Sequence, residues 1–123
     1  MHKRCLLSVW AIWLLAATAQ AQVSAGDKAA AEALFDRGIA LLRDGKLEEA
    51  CERLEQSQAI ERGIGTMLYL AECYEKRGKT ASAWALFREA TSEAQAAGQV
   101  ERANAGRQRA DRLEPVLSRL TID

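Results

Sequence analysis

An internal echo at a spacing of 33 residues constrains this chain more than any other feature. Leu34, Gly38, Leu41, Gly45, Ala50, Leu54 and Ser57 each stand 33 positions before Met67, Ala71, Tyr74, Gly78, Ala83, Phe87 and Ala90. Every pair keeps its size class, with small matching small, large apolar matching large, and the two glycines coinciding. Inside each copy the apolar residues recur at threes and fours, which marks one face of an α-helix and not the alternation of a strand. Paired helices broken at a glycine and repeated at this period predict an all-α fold: antiparallel helix–turn–helix repeats stacked into a short α-solenoid.

The pattern also bounds the helices. Asp27 is the expected N-cap of a first helix over Lys28–Arg43, with Ala31, Leu34, Phe35, Gly38, Leu41 and Leu42 on one face. Asp44-Gly45-Lys46 turns the chain, glycine there being free to take the left-handed conformation that ends a helix. Leu47–Ile60 follows, with Ala50, Leu54, Ser57 and Ile60 facing in. Gly63 and Gly65 make the next turn, Thr66 is the expected cap, and Met67–Arg77 turns Met67, Leu70, Ala71 and Tyr74 inward. After Gly78-Lys79 and a cap at Thr80, Ala81–Ala97 presents Ala83, Trp84, Phe87, Ala90 and Ala94. The repeats therefore cover about residues 31–63 and 64–97 of a helical domain spanning 27–114.

Close approach of the paired helices needs small side chains where their axes cross. Gly38 against Ala50 and Ala71 against Ala83 fill that need, while Leu41, Leu54, Tyr74 and Phe87 occupy the space between. A fifth helix over residues 100–114 is mostly charged, with a thin stripe of Val100, Ala103, Ala110 and Leu113, and suits a water-tolerant capping helix. Residues 115–123 form a tail in which Pro115 kinks or restarts the helix, and Val116, Leu117 and Leu120 carry the stripe on. Arg119-Leu120-Thr121-Ile122-Asp123 alternates like the start of a strand with nothing to pair with, an end that reads as cut short or disordered.

The first 26 residues stand apart. His2, Lys3 and Arg4 precede the apolar run Cys5–Ala17, and Ala19-Gln20-Ala21 fits a small-residue cleavage site. That order predicts a secretory signal peptide over residues 1–21, a linker over 22–26 and an exported protein, periplasmic or secreted. The competing reading is an uncleaved anchor, which is the one case in which a membrane enters the list of partners. Cleavage removes Lys3 and Arg4 from 17 basic residues, leaving 15 against 17 acidic ones and a net charge of −2. Such a balance offers no electrostatic reason to expect nucleic acid.

Cleavage also removes His2, the only histidine. A serine or cysteine nucleophile would then lack its usual base, and zinc its commonest nitrogen ligand. Gly63-x-Gly65 is too short for a phosphate loop. Glu72 and Glu75 are the remaining paired carboxylates, and at three apart on a helix they read as a solvated face. No enzyme activity, cofactor or metal is expected.

In stacked hairpins the first helix of each lines a shared concave surface. Glu32, Phe35, Asp36, Ile39 and Leu42, then Leu68, Tyr69, Glu72, Glu75 and Lys76, take those positions. Apolar residues with an acidic rim on one face read as a groove for a protein or peptide. They read equally as ordinary core if the N-terminal segment or the tail packs over them. With only two repeats and a cap, self-association into a homodimer is the further expectation.

Cys51 and Cys73 remain after export. If Leu54 opposes Leu70 along the second and third helices, Cys51 one turn earlier opposes Cys73 one turn later. A disulfide between the repeats follows, provided the Cα atoms come within about 7 Å. The competing reading is a pair of buried thiols packed as small apolar residues.

The residues Leu34-Phe35-x-x-Gly38, Gly45, Ala50, Leu54, Ala71, Tyr74, Gly78, Ala83, Phe87 and Ala90 resemble the tetratricopeptide consensus. Residues 49–57, Gly65–Phe87 and Leu113–Ile122 are together similar to a set of secreted bacterial tetratricopeptide proteins. In that set the helical part is often followed by a small β-rich domain of the cell surface, which Arg119–Ile122 would open. The resemblance implies a scaffold or adaptor without catalytic residues. The basic and asparagine positions with which some such repeats clamp a terminal carboxylate are absent from the groove named above.

Overall fold

The computed structural model describes residues 23–120, and among them every regular element is an α-helix. The helices are α1 (Ala25–Arg43), α2 (Leu47–Ile60), α3 (Ile64–Lys76), α4 (Thr80–Ala96) and α5 (Val100–Leu120). The expected signal peptide and the residues after Leu120 lie outside the described residues.

Three of the four turns are built alike. Gly45, Gly78 and Gly98 have φ of 74°, 76° and 70°, where a side chain would be strained. At each, the next residue's N–H reaches five residues back: Lys46 to the Leu41 carbonyl at 3.0 Å, Lys79 to Tyr74 at 2.9 Å, Gln99 to Ala94 at 2.8 Å. These bonds close the preceding helix by satisfying its last carbonyls. Such a turn reverses the chain, so α1 packs on α2, α3 on α4, and α4 on α5. The α2–α3 connection differs: Glu61 and Gly63 are extended, and the α2–α3 contact is the sparsest between consecutive helices.

Helix starts differ from the sequence reading. Ser24, not Asp27, caps α1, its Oγ accepting the Asp27 N–H at 3.0 Å. Ala25 and Gly26, read as linker, are thus helical. α3 begins at Ile64 behind an extended Gly63, whose N–H donates to Gln58 Oε1 at 3.1 Å, and Thr66 lies inside the helix. Thr80 is the first residue of α4 and not its cap. At the far end α5 runs through Pro115 to Leu120. Proline deprives only the exposed Asp111 of an i−4 donor, and water can serve that carbonyl. Arg119 and Leu120 are therefore helical, not strand.

The core follows the repeat. Ala50, Leu54, Ala71, Ala83 and Ala90 have no exposed surface, Phe87 has 1%, and Gly38 is buried as well. A methyl added to Gly38 would stand 2.7 Å from Leu54 Cγ and 3.4 Å from the Ala50 carbonyl, so the α1–α2 crossing is as tight as the glycine permits. Tyr74 is half-buried and packs against both core clusters. Ser57, buried among these residues, donates to the Ala31 carbonyl at 2.7 Å and ties the end of α2 to the start of α1. Ile60 is more open than its inward assignment, at 36%. Val100, assigned to the α5 stripe, is 65% exposed, and Gly106 is buried instead between Ala103 and Ala110.

Candidate functional site

The face shared by α1, α3 and the start of α5 carries the expected groove residues. Phe35 on α1 and Tyr69 on α3 meet edge to face, ring centroids 5.6 Å apart and planes at 74°. This is the favoured aromatic geometry. Phe35 and Ile39 are half-buried against the core, whereas Tyr69 keeps 40% of its surface open. Leu68, the repeat-equivalent of Phe35, leans toward α5: its Cδ2 lies 3.5 Å from where a methyl on Gly106 would stand.

Beside Phe35 lies a cleft of about 310 Å³, walled by Ala31, Glu32 and Phe35 of α1, Ile64 and Thr66 of α3, and Arg102 of α5. Along these helices several charges pair off. Lys28 stands 4.0 Å from Glu61, Lys76 3.0 Å from Glu72, and Arg109 2.7 Å from Glu75. Arg109 also stacks 4.9 Å over the Phe87 ring, tying α5 to both helices of the second hairpin. The α2–α3 loop is anchored by Arg62, whose guanidinium pairs with Glu89 and Glu93 of α4.

Two of the groove residues read from the sequence stand differently here. Leu42 is 6% exposed and belongs to the core cluster with Leu41, Leu54 and Leu70, so it offers no surface to a partner. The cause is the cluster it joins, built from Ala50, Cys51 and Leu54 of α2 and Leu70 and Cys73 of α3. Glu75 is held by Arg109, a contact invisible until α5 is placed. Arg102 was not singled out from the sequence, because a basic residue in a charged helix carries no periodic signal.

Cys51 and Cys73 are joined as a disulfide, with Cα atoms 5.6 Å apart and both residues fully buried. The bridge spans the sparse α2–α3 joint. Among the described residues no three metal-ligating side chains cluster, and no helix is long and apolar enough to cross a membrane. Comparison of the chain with protein-family models, with curated proteins and with solved structures found no match.

Proposed function

We propose that this chain is an exported, non-catalytic scaffold of tetratricopeptide type, binding a protein or peptide segment along the face of α1 and α3. The observation that carries the reading is the Phe35–Tyr69 pair: an aromatic contact across two hairpins, left partly open beside a cleft. A half-exposed aromatic on a rigid helix supplies contact area at little entropic cost. Export rests on the basic start, apolar run and Ala19-Gln20-Ala21. A second reading, a self-associating component of the cell envelope, draws on Val116 and Leu120, which are 36% and 61% exposed at the end of α5.

A photo-crosslinking residue placed at Tyr69 in cells tests the binding reading against a control at exposed Glu48 on α2. A discrete adduct with another polypeptide from position 69 alone supports it. Equal labelling from both positions, or none from either, overturns it. An adduct of two copies of this chain, matched by a dimer in solution without ligand, selects the second reading.

A further inference from the structure

We infer that the segment held on this face is a peptide with an apolar anchor flanked by lysine or arginine. The inference rests on the reading of the face as a protein-binding groove and adds the chemistry of what it holds. Of the bases that line the cleft, Lys28 stands 4.0 Å from Glu61, and Arg62 pairs with Glu89 and Glu93. Arg102 reaches its Nη1 to Gln99 Oε1 at 2.9 Å. Among the described residues Glu32 and Asp36 have no hydrogen-bond or ion-pair partner. They sit one helical turn apart on α1, on either side of Phe35 in sequence, and Glu32 lines the cleft. The aromatic patch is therefore bordered by two exposed carboxylates without partners among the described residues, by Lys28 and Arg62, which stand against carboxylates, and by Arg102, whose charge meets only a neutral amide.

The stripe also has a direction. Arg43, two turns beyond Asp36 at the other end of α1, is exposed and likewise has no partner among the described residues. Charge on the stripe thus changes from negative at Glu32 and Asp36 to positive at Arg43. A bound segment places its basic side chains at the N-terminal end of α1 and its apolar anchor on Phe35, Ile39 and Tyr69. The stems of lysine and arginine suit the cleft, since their methylenes can lie on Phe35 and Ile64 while the charged head stays at its mouth near Glu32. Complementary charge of this exposed kind sets orientation and specificity more than total affinity, and it weakens with salt.

The test titrates the isotope-labelled protein, followed by amide NMR, with two capped pentapeptides. One has two lysines before leucine, phenylalanine and leucine; the other has two glutamates before the same three. The inference expects shifts confined to α1 and α3, with the lysine peptide about tenfold tighter at low ionic strength. Raising the salt should shrink that ratio, and Glu32→Gln with Asp36→Asn should abolish it. If both peptides shift the groove equally, the charge assignment is wrong while the groove reading survives. If neither shifts it, the groove reading falls too. Groove shifts that appear on concentrating the protein alone would show a second copy as occupant and overturn the inference.

Discussion

At the scale of single residues, two glycines show what the repeat leaves out. Gly38 and Gly106 both lie buried inside helices, where glycine costs about 1 kcal/mol against alanine. Gly38 is held by packing: the missing methyl would press on Leu54 Cγ at 2.7 Å and Cδ2 at 2.9 Å. At Gly106 the nearest atoms are the Thr91 hydroxyl, a terminal atom that can turn aside only by giving up its 2.7 Å bond to the Phe87 carbonyl, and that carbonyl itself at 3.1 Å. Overpacking at the first site costs roughly 1–3 kcal/mol and outweighs the propensity gain. Gly38→Ala should thus lower the urea midpoint at unchanged slope, and Gly106→Ala should lower it less. Equal midpoints for the two variants would refute this account of the crossing. Gly38 was legible beforehand because its repeat-equivalent is Ala71, which marks the position as small. Gly106 was not, since an apolar stripe counted on side chains skips a residue that has none.

Between elements, the turns explain why α5 belongs more closely to α4 than a detachable cap would. Gly98 repeats the turn of Gly45 and Gly78, so α4 and α5 pack antiparallel as the hairpin pairs do. Position and spacing of those glycines made the helix count readable. The helix starts were less so, because serine, threonine and aspartate all suit a cap and only geometry decides which side chain reaches a free N–H. Pro115 misled for a related reason: proline ends a helix when its lost bond matters, and at an exposed turn it matters little. The α2–α3 joint carries a second testable contact. Tyr74 donates its hydroxyl to Glu55 Oε1 at 2.7 Å. Burial first, and then that bond, push the Tyr74 phenol up to about 12 from its ordinary 10. A raised value means the neutral phenol is favoured by folding. Its stabilisation is complete below about pH 10 and lost as pH rises through about 12. Unfolding followed across that window should show stability falling in the native chain, with a smaller fall for Tyr74→Phe. An identical fall in both would assign the alkaline loss to other groups.

Over the whole molecule, the two hairpins are covalently one. The Cys51–Cys73 bridge closes a loop of sequence separation 22 across the sparsest joint. Cross-links of that span contribute about 3 kcal/mol. Reduction under denaturing conditions should lower stability by roughly that amount on refolding, and the unreduced intact mass should be two daltons lighter than the reduced one. A mass beginning at Gln22 in the same spectrum would establish the processing expected of residues 1–21. Unchanged mass and unchanged stability on reduction would mean that the thiols are free. The geometry of this pairing was readable because Cys51 and Cys73 sit one turn either side of the Leu54 and Leu70 positions. The groove was readable only in part: Leu42 is taken into the core shared with α2 and α3, and Glu75 is taken by Arg109, neighbours that one helix's periodicity cannot reveal. The bridge also gives the chain a mechanical character. Tension applied between its two ends cannot draw out the stretch from Cys51 to Cys73, which includes most of α2 and α3. With an extended chain spanning at most about 3.6 Å per residue, roughly 80 Å of contour stays out of reach of the load. The α2–α3 joint accordingly stays closed under load, while α1, α4 and α5, which lie outside the loop, remain in the path of the force.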